Sequence, residues 1–312
     1  MADFTTGMTG AADVADSRII AFTQAFIIEN EQSQVLDGNI VSIQESINAK
    51  SFNFPRYTAL PLNITALTAK EDPDSVVLAD TEITITPLEY GDAVTTTRLA
   101  NLHSGGKVDV AAAQIVGRAS GRVQDALAMA AMDASAAGQT VWAGAATSEA
   151  TVAATHVADT VFLEDAYNKL ARQSVPAIGD MYVAVMHDDV ISDLRDDAGA
   201  AGWTDVNKYS DATRVLRNEV GMFKGFRIVR QNDATLTADG GVTTTDVYNS
   251  YFVGFNGVGK AVSQAPSLTI TGPFDKLGRF LNIGWYGALA YSLVEAEAVV
   301  LGQSASSRGA NT

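Results

Sequence analysis

The segment of this chain whose residue spacing most suggests chemistry is Gly254-Phe255-Asn256-Gly257-Val258-Gly259-Lys260. It fits the first seven positions of a phosphate-binding loop, in which backbone amides and a lysine surround phosphate groups. The eighth position is Ala261, which has no hydroxyl to bind Mg²⁺, and the residues 262–266 are not typical of a helix start. The sequence therefore predicts a glycine-rich turn, and a nucleotide-binding enzyme is kept only as a remote alternative.

Five aspartates lie close together in a short segment: Asp188, Asp189, Asp193, Asp196 and Asp197. Convergent carboxylates can bind Ca²⁺, but a helix spreads them around its axis and lacks the carbonyl ligands that a loop supplies. We expect a solvated helix face and no metal site.

Other catalytic residue types are present without the spacing that catalysis requires. His103, His156 and His187 are far apart, and His187 is expected near the start of a helix. No Gly-x-Ser-x-Gly sequence frames a serine nucleophile. The chain has no cysteine, which excludes a disulfide, a thiol nucleophile and a cysteine-ligated zinc. We therefore predict no enzyme activity, no catalytic residue and no cofactor.

Composition limits the classes of partner. The 312 residues are 47% hydrophobic and 18% charged, which is globular, and their formal net charge of −15 argues against a nucleic-acid-binding protein or an anionic-membrane-binding protein. No apolar run approaches the roughly 20 residues that span a bilayer. Residues 1–16 contain three Asp and no Lys or Arg, unlike the basic start of a signal peptide. We expect a soluble protein made inside the cell.

The longest predicted element is a helix from Lys107 to Ala137, a segment with no proline, no aromatic residue and only two glycines. At about 1.5 Å per residue it would be roughly 45 Å long, which suits a structural spine. Apolar residues at intervals of three or four predict its inner face. That face comprises Val108, Ala112, Ile115, Ala119, Val123, Ala126 and Ala130. Gln124 is expected to be exposed.

Before this helix, residues 51–101 predict a long β-hairpin around the polar turn Ala69–Asp74. Both of its sides mix Thr, Asn and Asp with apolar residues, so it has little to pack against. Two interpretations are open: a hairpin folded onto its own domain, and an arm that packs on a neighbouring subunit. In the second case the candidate assembly contacts are Arg56, Tyr57, Lys70, Glu71, Asp72 and Arg98.

The rest of the chain completes a series of segments. Residues 1–50 predict an N-terminal arm and a helix (Ser17–Asn30), 102–137 a peripheral domain containing the spine helix, and 138–265 an α/β axial domain. The axial domain contains a helix around 163–171, a buried strand at Met181–Met186, a helix at Asp188–Asp197, and strands at 226–229 and 247–255. Residues 266–302 are expected to return to the peripheral domain as closing strands, and 303–312 to form a flexible tail.

This order of elements resembles the major capsid protein of tailed bacteriophages, the Hong Kong 97 type. Five segments carry the resemblance: Phe52–Tyr57 at the entry to the extended loop, Ile83–Gly91 as its returning strand, Tyr182–Arg195 as the strand and helix of the axial domain, and Trp203 and 220–229 after it. The resemblance implies an α+β fold with an N-terminal arm, an extended β-hairpin, a spine helix with a peripheral sheet, and an axial domain.

The resemblance also implies a function. A capsid subunit self-assembles, through pentamers and hexamers, into an icosahedral shell that encloses DNA in a virion without reading its sequence. Such a subunit is made in the host cytoplasm, has no membrane partner, and works with a portal and sometimes with decoration proteins. Only about fifty residues precede the hairpin here, so we expect the scaffold to be a separate protein.

Three points stay open at this stage. Local cations such as Arg18, Arg118 and Arg122 are candidates to face the genome. Lys70 alone does not indicate the covalent cross-link of some capsids, which also needs an Asn and a buried Glu on other subunits. The principal alternative function is an encapsulin-like bacterial nanocompartment shell, which shares the fold. A secreted or surface β-protein would suit the Thr-rich composition, but the sequence contains no export signal.

Overall fold

A computed structural model describes residues 15–46, 49–57, 60, 64, 66, 75–105, 107–134, 139–196, 219–273 and 275–308. Its helices are α1 (Ala15–Ser33), α2 (Asp37–Ile40), α3 (Arg98–His103), α4 (Lys107–Asp133), α5 (Thr160–Arg172) and α6 (Asp188–Asp196). Its strands are β1 (Val41–Ser46), β2 (Phe52–Tyr57), β3 (Asp80–Ile85), β4 (Leu88–Thr97), β5 (Thr140–Trp142), β6 (Tyr182–Met186), β7 (Glu219–Phe223), β8 (Phe226–Arg230), β9 (Leu236–Thr237), β10 (Val247–Val253), β11 (Val258–Thr271), β12 (Phe280–Leu293) and β13 (Val299–Ser304). The predicted arm before residue 15, the turn Ala69–Asp74 and Trp203 lie outside the described residues.

A four-stranded sheet, in the order β1-β11-β12-β4, forms the first layer of the fold. Along β11 and β12 the side chains alternate, so that Ile283 and Trp285 are buried on one face while Thr269 and Thr271 face solvent on the other. Helices α1 and α4 cover the buried face, where Phe22 and the alanines of α4 pack on Ile283. The opposite face is covered at Ala261 by Phe54 and Ile85 of the hairpin and is exposed at Thr269 and Thr271.

The spine helix is confirmed as α4, which ends four residues before the predicted boundary. Its predicted inner face is right at Ala112, which is buried, but wrong at Ile115, Ala126 and Ala130, which are exposed, and Gln124 is buried rather than exposed. The face that packs is rotated to Ala113, Val116 and their neighbours. The cause is that α1 and two sheets surround α4, so small and polar residues are also buried on it.

Helices α1 and α4 approach closely because two glycines of α4 face α1. A Cβ on Gly117 would lie 2.7 Å from the carbonyl oxygen of Phe26, and one on Gly121 would lie 2.8 Å from that of Asn30. No side chain fits in this space, so both positions require glycine for the observed helix packing.

A seven-stranded sheet forms the second layer, with the order β5-β13-β10-β6-β8-β7 and β9 paired to β10. Strand β6 is buried along its whole length and confirms the strand predicted at Met181–Met186. Helices α5 and α6 pack on one face, and Val190, Ile191 and Leu194 point inward from α6 as predicted. The other face receives α2 and the C-terminal half of α4 through Met129 and Met132. Helix α4 therefore packs on both sheets.

Three predictions about the C-terminal part of the chain differ from the structure. The boundary at 265/266 falls inside β11, which belongs to the four-stranded sheet from Val258 onward. The prediction that the closing strands all return to the peripheral domain is wrong for β13, which lies between β5 and β10 of the seven-stranded sheet. The predicted flexible tail is wrong through residue 306, because Ser304, Ala305 and Ser306 are buried and Ala305 pairs with Val157.

Candidate assembly surfaces

The β-hairpin is anchored to the body of the subunit at its root. Strands β2 and β3 pair in antiparallel register from Phe52↔Ile85 to Tyr57↔Asp80. The side chains of Phe54 and Ile85 are buried against Ala261 and Val294. These contacts fix the position from which the hairpin leaves the sheet.

The predicted single returning strand at Ile83–Gly91 is divided in the structure. Strand β3 ends at Ile85 and pairs with β2, whereas β4 begins at Leu88 and pairs with β12. The intervening Pro87 has no backbone N–H to donate to a sheet. The division lets the hairpin and the four-stranded sheet be separate layers.

Beyond its root, the hairpin exposes apolar side chains. Val76, Val77 and Leu78 lie directly before β3, and Val77 is 87% exposed. Ile64 is exposed to the same extent, and Tyr57 and Leu60 are also largely in solvent. Contiguous exposed apolar residues are typical of a protein–protein interface. Of the two interpretations, this exposure favours the arm that packs on a neighbour.

The candidate assembly contacts fall in different environments. Arg56 lies near Glu295 (3.7 Å) and Glu297 (3.5 Å) of its own chain, so it braces the hairpin root within the subunit. Tyr57 and Arg98 are exposed and about forty residues apart along the chain, on different elements. Lys70, Glu71 and Asp72 lie outside the described residues. Among the three that the structure describes, Arg56 and Tyr57 lie together on β2, whereas Arg98 lies on α3.

At the far end of β4 lies a second exposed surface, which we call the basic tip. It comprises Arg98, Leu99, Leu102, Lys107, Lys276, Leu277 and Arg279. The backbone N–H of Arg98 donates to the carbonyl of Arg279 (2.8 Å), which joins α3 to the loop before β12. Leu99, Leu102 and Leu277 are 62%, 69% and 72% exposed. The tip combines apolar and basic side chains on one end of the subunit.

Sequence reasoning missed α3, because the predicted hairpin was extended to Asn101. The signal that could have found it is Thr97: its hydroxyl oxygen accepts a hydrogen bond from the backbone N–H of Ala100 (3.2 Å), as an N-cap does. Thr97 ends a Thr-rich strand, so its preference for a cap was not distinguishable from its preference for a strand.

The glycine-rich turn predicted at Gly254–Lys260 is confirmed for residues 254–257, and residues 258–260 form the start of β11. It connects β10 to β11, so a strand rather than a helix N-terminus follows it. Lys260 is 4% exposed, and its ammonium donates to the carboxylate of Asp37 (2.8 Å) and to Gln124 Oε1 (3.3 Å). Tyr291 also donates to Asp37 (3.1 Å), and burial raises the pKa of the Tyr291 hydroxyl. This buried lysine neutralises the half-buried carboxylate of Asp37, whereas a phosphate-binding lysine would be free.

A fully buried carboxylate, Asp125, lies on α4 beside this group and is 1% exposed. It accepts hydrogen bonds from the backbone N–H groups of Val35 (2.9 Å) and Leu36 (3.1 Å) and from Gln231 Nε2 (2.6 Å). Burial raises the pKa of the Asp125 carboxyl to about 6, against the opposing effect of these donors. The side chain of Asp125 thus joins three parts of the fold: the connection between α1 and α2, the spine helix, and the segment after β8.

The carboxylates of α6 have separate partners. Asp193 is buried and accepts from the backbone N–H (2.9 Å) and the hydroxyl of Ser307, so the expected solvated face is wrong at this position. Asp188 lies 3.5 Å from Arg230, and Asp189 accepts from the hydroxyl of Tyr248 (3.1 Å). Asp197 lies outside the described residues. In the part of the chain that the structure describes, no three metal-ligating side chains converge.

Three further positions from the sequence analysis are His187, Arg118 and Arg122, and the side chain of Arg18 lies outside the described part of the chain. His187 directly precedes α6, where its Nδ1 accepts from the backbone N–H of Asp189 (3.2 Å), as expected of a residue at a helix start. Arg118 and Arg122 are exposed on α4 but pair with Glu29 (2.6 Å) and Asp233 (2.8 Å) of the same chain. The carboxylates neutralise both arginines. Across the described ranges, no helix has the length and apolar character needed to cross a bilayer.

The fold is similar to that of several solved capsid structures. The capsid of Ralstonia phage GP4 matches with a TM-score of 0.68 at 14% identity, over 85% of this chain and 87% of that one. The capsid of cyanophage Pam1 matches with a TM-score of 0.66 at 13% identity, over 90% and 93%. A virus-like particle from Pyrococcus furiosus matches with a TM-score of 0.54 at 12% identity, over 90% and 96%. No protein-family model and no curated protein sequence matches. The chain therefore has the α+β fold of these phage capsid subunits.

Proposed function

We propose that this chain is the major capsid protein of a tailed bacteriophage, of the Hong Kong 97 type, and that it assembles with copies of itself into an icosahedral shell around double-stranded DNA. The observation that carries the proposal is the hairpin, which is anchored at Phe54 and Ile85 and exposes Val76, Val77 and Leu78 to solvent. Those three residues need a partner surface, and in a capsid fold another subunit supplies it.

The rest of the fold suits a structural subunit. Helix α4 packs on both sheets and joins them into one body. A shell uses many weak contacts between such bodies, because multivalency adds them into a stable particle. The net charge of −15 agrees with a shell that encloses DNA without gripping it.

The proposal has consequences for the other partners. Pentamers and hexamers of this chain would form the shell in the host cytoplasm, with a separate scaffold and a portal, and decoration proteins would bind the outside where present. No cofactor or membrane takes part in this function. The motif that favoured an enzyme is explained by the Lys260–Asp37 ion pair, so the proposed role is structural.

A bacterial nanocompartment shell is the second candidate, and the similarity to the Pyrococcus furiosus particle supports it. The TM-scores of the two phage capsids are higher, at 0.68 and 0.66 against 0.54. The phage function is therefore preferred.

The test is assembly of the purified chain. Sedimentation velocity and negative-stain microscopy should show shells or capsomers, either from the chain alone or after addition of the scaffold from its source. Particles from the native source should contain double-stranded DNA, whereas enclosed enzyme would favour the nanocompartment. A chain that stays monomeric under all these conditions contradicts the proposal.

A further inference from the structure

Residues 15–46, which we call the N-terminal strap, comprise α1, α2 and β1. The strap follows α4 from one sheet to the other: Phe22 packs where α4 meets the four-stranded sheet, and Leu36 packs where α4 meets the seven-stranded sheet. Among the described strands, β1 pairs only with β11, and it is the edge strand of its sheet. The strap can therefore separate from the body without breaking a strand pair in the interior of either sheet.

Two polar contacts hold the middle of the strap, where α1 is connected to α2. The carboxylate of Asp125 on α4 accepts hydrogen bonds from the backbone N–H groups of Val35 (2.9 Å) and Leu36 (3.1 Å). The ammonium of Lys260 on β11 donates to Asp37 (2.8 Å). In both contacts the side chain that belongs to the body, Asp125 or Lys260, is buried. Detachment of the strap would expose both of these side chains to water.

The charges at this site do not balance. Two carboxylates, Asp37 and Asp125, lie beside one ammonium, that of Lys260. The other groups at the site are uncharged: Gln231 donates to Asp125, and Tyr291 donates to Asp37 and keeps its proton because burial raises the pKa of its hydroxyl. In the described part of the chain, Asp125 forms no ion pair. The attached strap therefore encloses one negative charge in excess, which a proton on Asp125 removes.

The proton is bound more tightly when the strap is attached. Burial raises the pKa of the Asp125 carboxyl to about 6, although its hydrogen-bond donors act in the opposite direction. When the strap is detached, Asp125 lies on the surface of α4 in water, so its pKa returns to about 4. The stabilisation of the attached strap is therefore complete below about pH 4 and is lost as pH rises through 6.

We propose that the N-terminal strap detaches from the spine helix as a unit, and that a proton on Asp125 holds it in place. Its detachment leaves the core beneath α5 intact, because the buried cluster that contains Phe162 and Phe252 includes no residue of the strap. The inference goes beyond the proposed function and does not depend on it. It gives the subunit a segment whose attachment responds to pH while the rest of the fold persists.

Hydrogen exchange followed by mass spectrometry tests the proposal on the full chain, below the concentration at which it assembles. After division by the intrinsic exchange rates, amides of the strap should be about twentyfold less protected at pH 7.5 than at pH 4.5. Amides of α5 report global unfolding and should be at least about tenfold better protected than those of the strap. Asp125→Asn, which does not titrate, should abolish the pH dependence of the strap. Asp180→Asn, at an exposed loop position, is the matched control and should retain it.

Each part of the proposal has its own contrary outcome. Equal protection of the strap and α5 would show that the strap does not detach separately. Strap protection that is the same at both pH values, or that changes equally in Asp125→Asn, would show that the proton is not on Asp125. Circular dichroism checks that the variant is folded, and the unaltered chain alone decides the first outcome and the pH dependence. Shell formation is measured separately, so failure of the proposed function would leave these results interpretable.

Discussion

At the scale of single residues, the group that distinguishes this subunit is the polar cluster where its two sheets meet. The cluster comprises Gln124 and Asp125 on α4, Asp37 on α2 and Lys260 on β11. Lys260 donates hydrogen bonds to Asp37 and to Gln124. Gln34 donates to Gln124, and the backbone N–H of Leu36 donates to Asp125. The cluster contains two carboxylates and one ammonium; Asp125 and Lys260 are buried, and Asp37 is half-buried. Such a site makes the fold sensitive to protonation and to loss of one member.

The first prediction concerns pH. The pKa of Asp125 is about 6 in the folded chain and near 4 when it is unfolded, so the folded state binds a proton more tightly. The stabilisation from that proton is complete below about pH 4 and is lost as pH rises through 6. Relative to Asp125→Asn, which does not titrate, the unaltered subunit should gain about 2 kcal/mol in free energy of unfolding between pH 7.5 and 4.5.

Urea unfolding of the unassembled subunit across this pH range measures the difference. Asp37 and Tyr291 act electrostatically on Asp125, and Lys260 pairs with Asp37; all three groups are present in both proteins, so their own pH dependence largely cancels. Asp180→Asn, at an exposed loop position, should follow the unaltered protein. Parallel curves for Asp125→Asn and the unaltered chain would contradict the assignment.

The second prediction concerns Lys260. Replacing it with Met removes the ammonium and leaves the Asp37 carboxylate without its cation, which should lower the free energy of unfolding by about 3 kcal/mol. The added change Asp37→Leu removes the unpaired charge and should recover part of the loss. Calorimetry with ATP and Mg²⁺ should give no heat of binding for any of the three proteins. Micromolar ATP binding that Lys260→Met abolishes would instead make this lysine a phosphate ligand.

At the scale of elements, α4 determines how the layers fit together. Its N-terminal half packs on the four-stranded sheet through Ala112 and Ala113, and its C-terminal half packs on the seven-stranded sheet through Met129 and Met132. Helix α1 lies against a third side of α4, where Gly117 and Gly121 permit close approach. With three neighbours, most of the circumference of α4 is constrained.

The third prediction uses this close approach. Gly117→Ala adds a Cβ 2.7 Å from the carbonyl oxygen of Phe26, and backbone atoms cannot move aside as a side chain can. The change should lower the free energy of unfolding by about 1–3 kcal/mol, although Ala favours a helix by about 1 kcal/mol over Gly. Gly38→Ala on α2 is the matched control: no atom lies within 4 Å of its Cβ, so it should be neutral or slightly stabilising. Equal thermal melting shifts for both variants would show that α1 does not pack here.

At the scale of the whole molecule, the subunit is a two-sheet body with different surfaces at the two ends of β4. The hairpin leaves one end and the basic tip lies at the other. The body has its own core, in which Phe162, Tyr251 and Phe252 are fully buried, so its stability does not depend on the part of the hairpin beyond the root. Folding and assembly should therefore be separable by mutation.

The fourth prediction tests that separation. Deletion of residues 69–75, between the two sides of the hairpin, should leave the circular dichroism spectrum and melting temperature of the subunit unchanged. It should prevent closed shells, because the deleted chain cannot place the apolar residues at 76–78 on a neighbour. Negative-stain microscopy and sedimentation measure the loss. Replacing the same seven residues with Gly and Ser is the control for length, and normal shells from the deletion would show that the hairpin end is dispensable.

The sequence alone determined several of the local elements, although it missed α3 and the division between β3 and β4. Side-chain periodicity and helix propensity are properties of neighbouring residues, so they can be read without the fold. They predicted the strand at Met181–Met186, the spine helix, and the helix that the structure has at Asp188–Asp196. The turn at Gly254–Lys260 was predicted for the same reason, since the absence of a helix start can be read locally.

Only the tertiary structure decided which surfaces are buried. Gln124 and Asp125 are polar and carry no local sign of burial, yet they are enclosed by residues about ninety positions away, at Gln34, Val35 and Leu36. The composition of residues 304–306 is typical of a flexible tail, but Ala305 pairs with Val157 in the folded chain. Which face of the spine helix is buried is decided by the positions of α1 and of both sheets around it. Periodicity reports what a segment prefers by itself, whereas burial depends on partners that are distant in the chain.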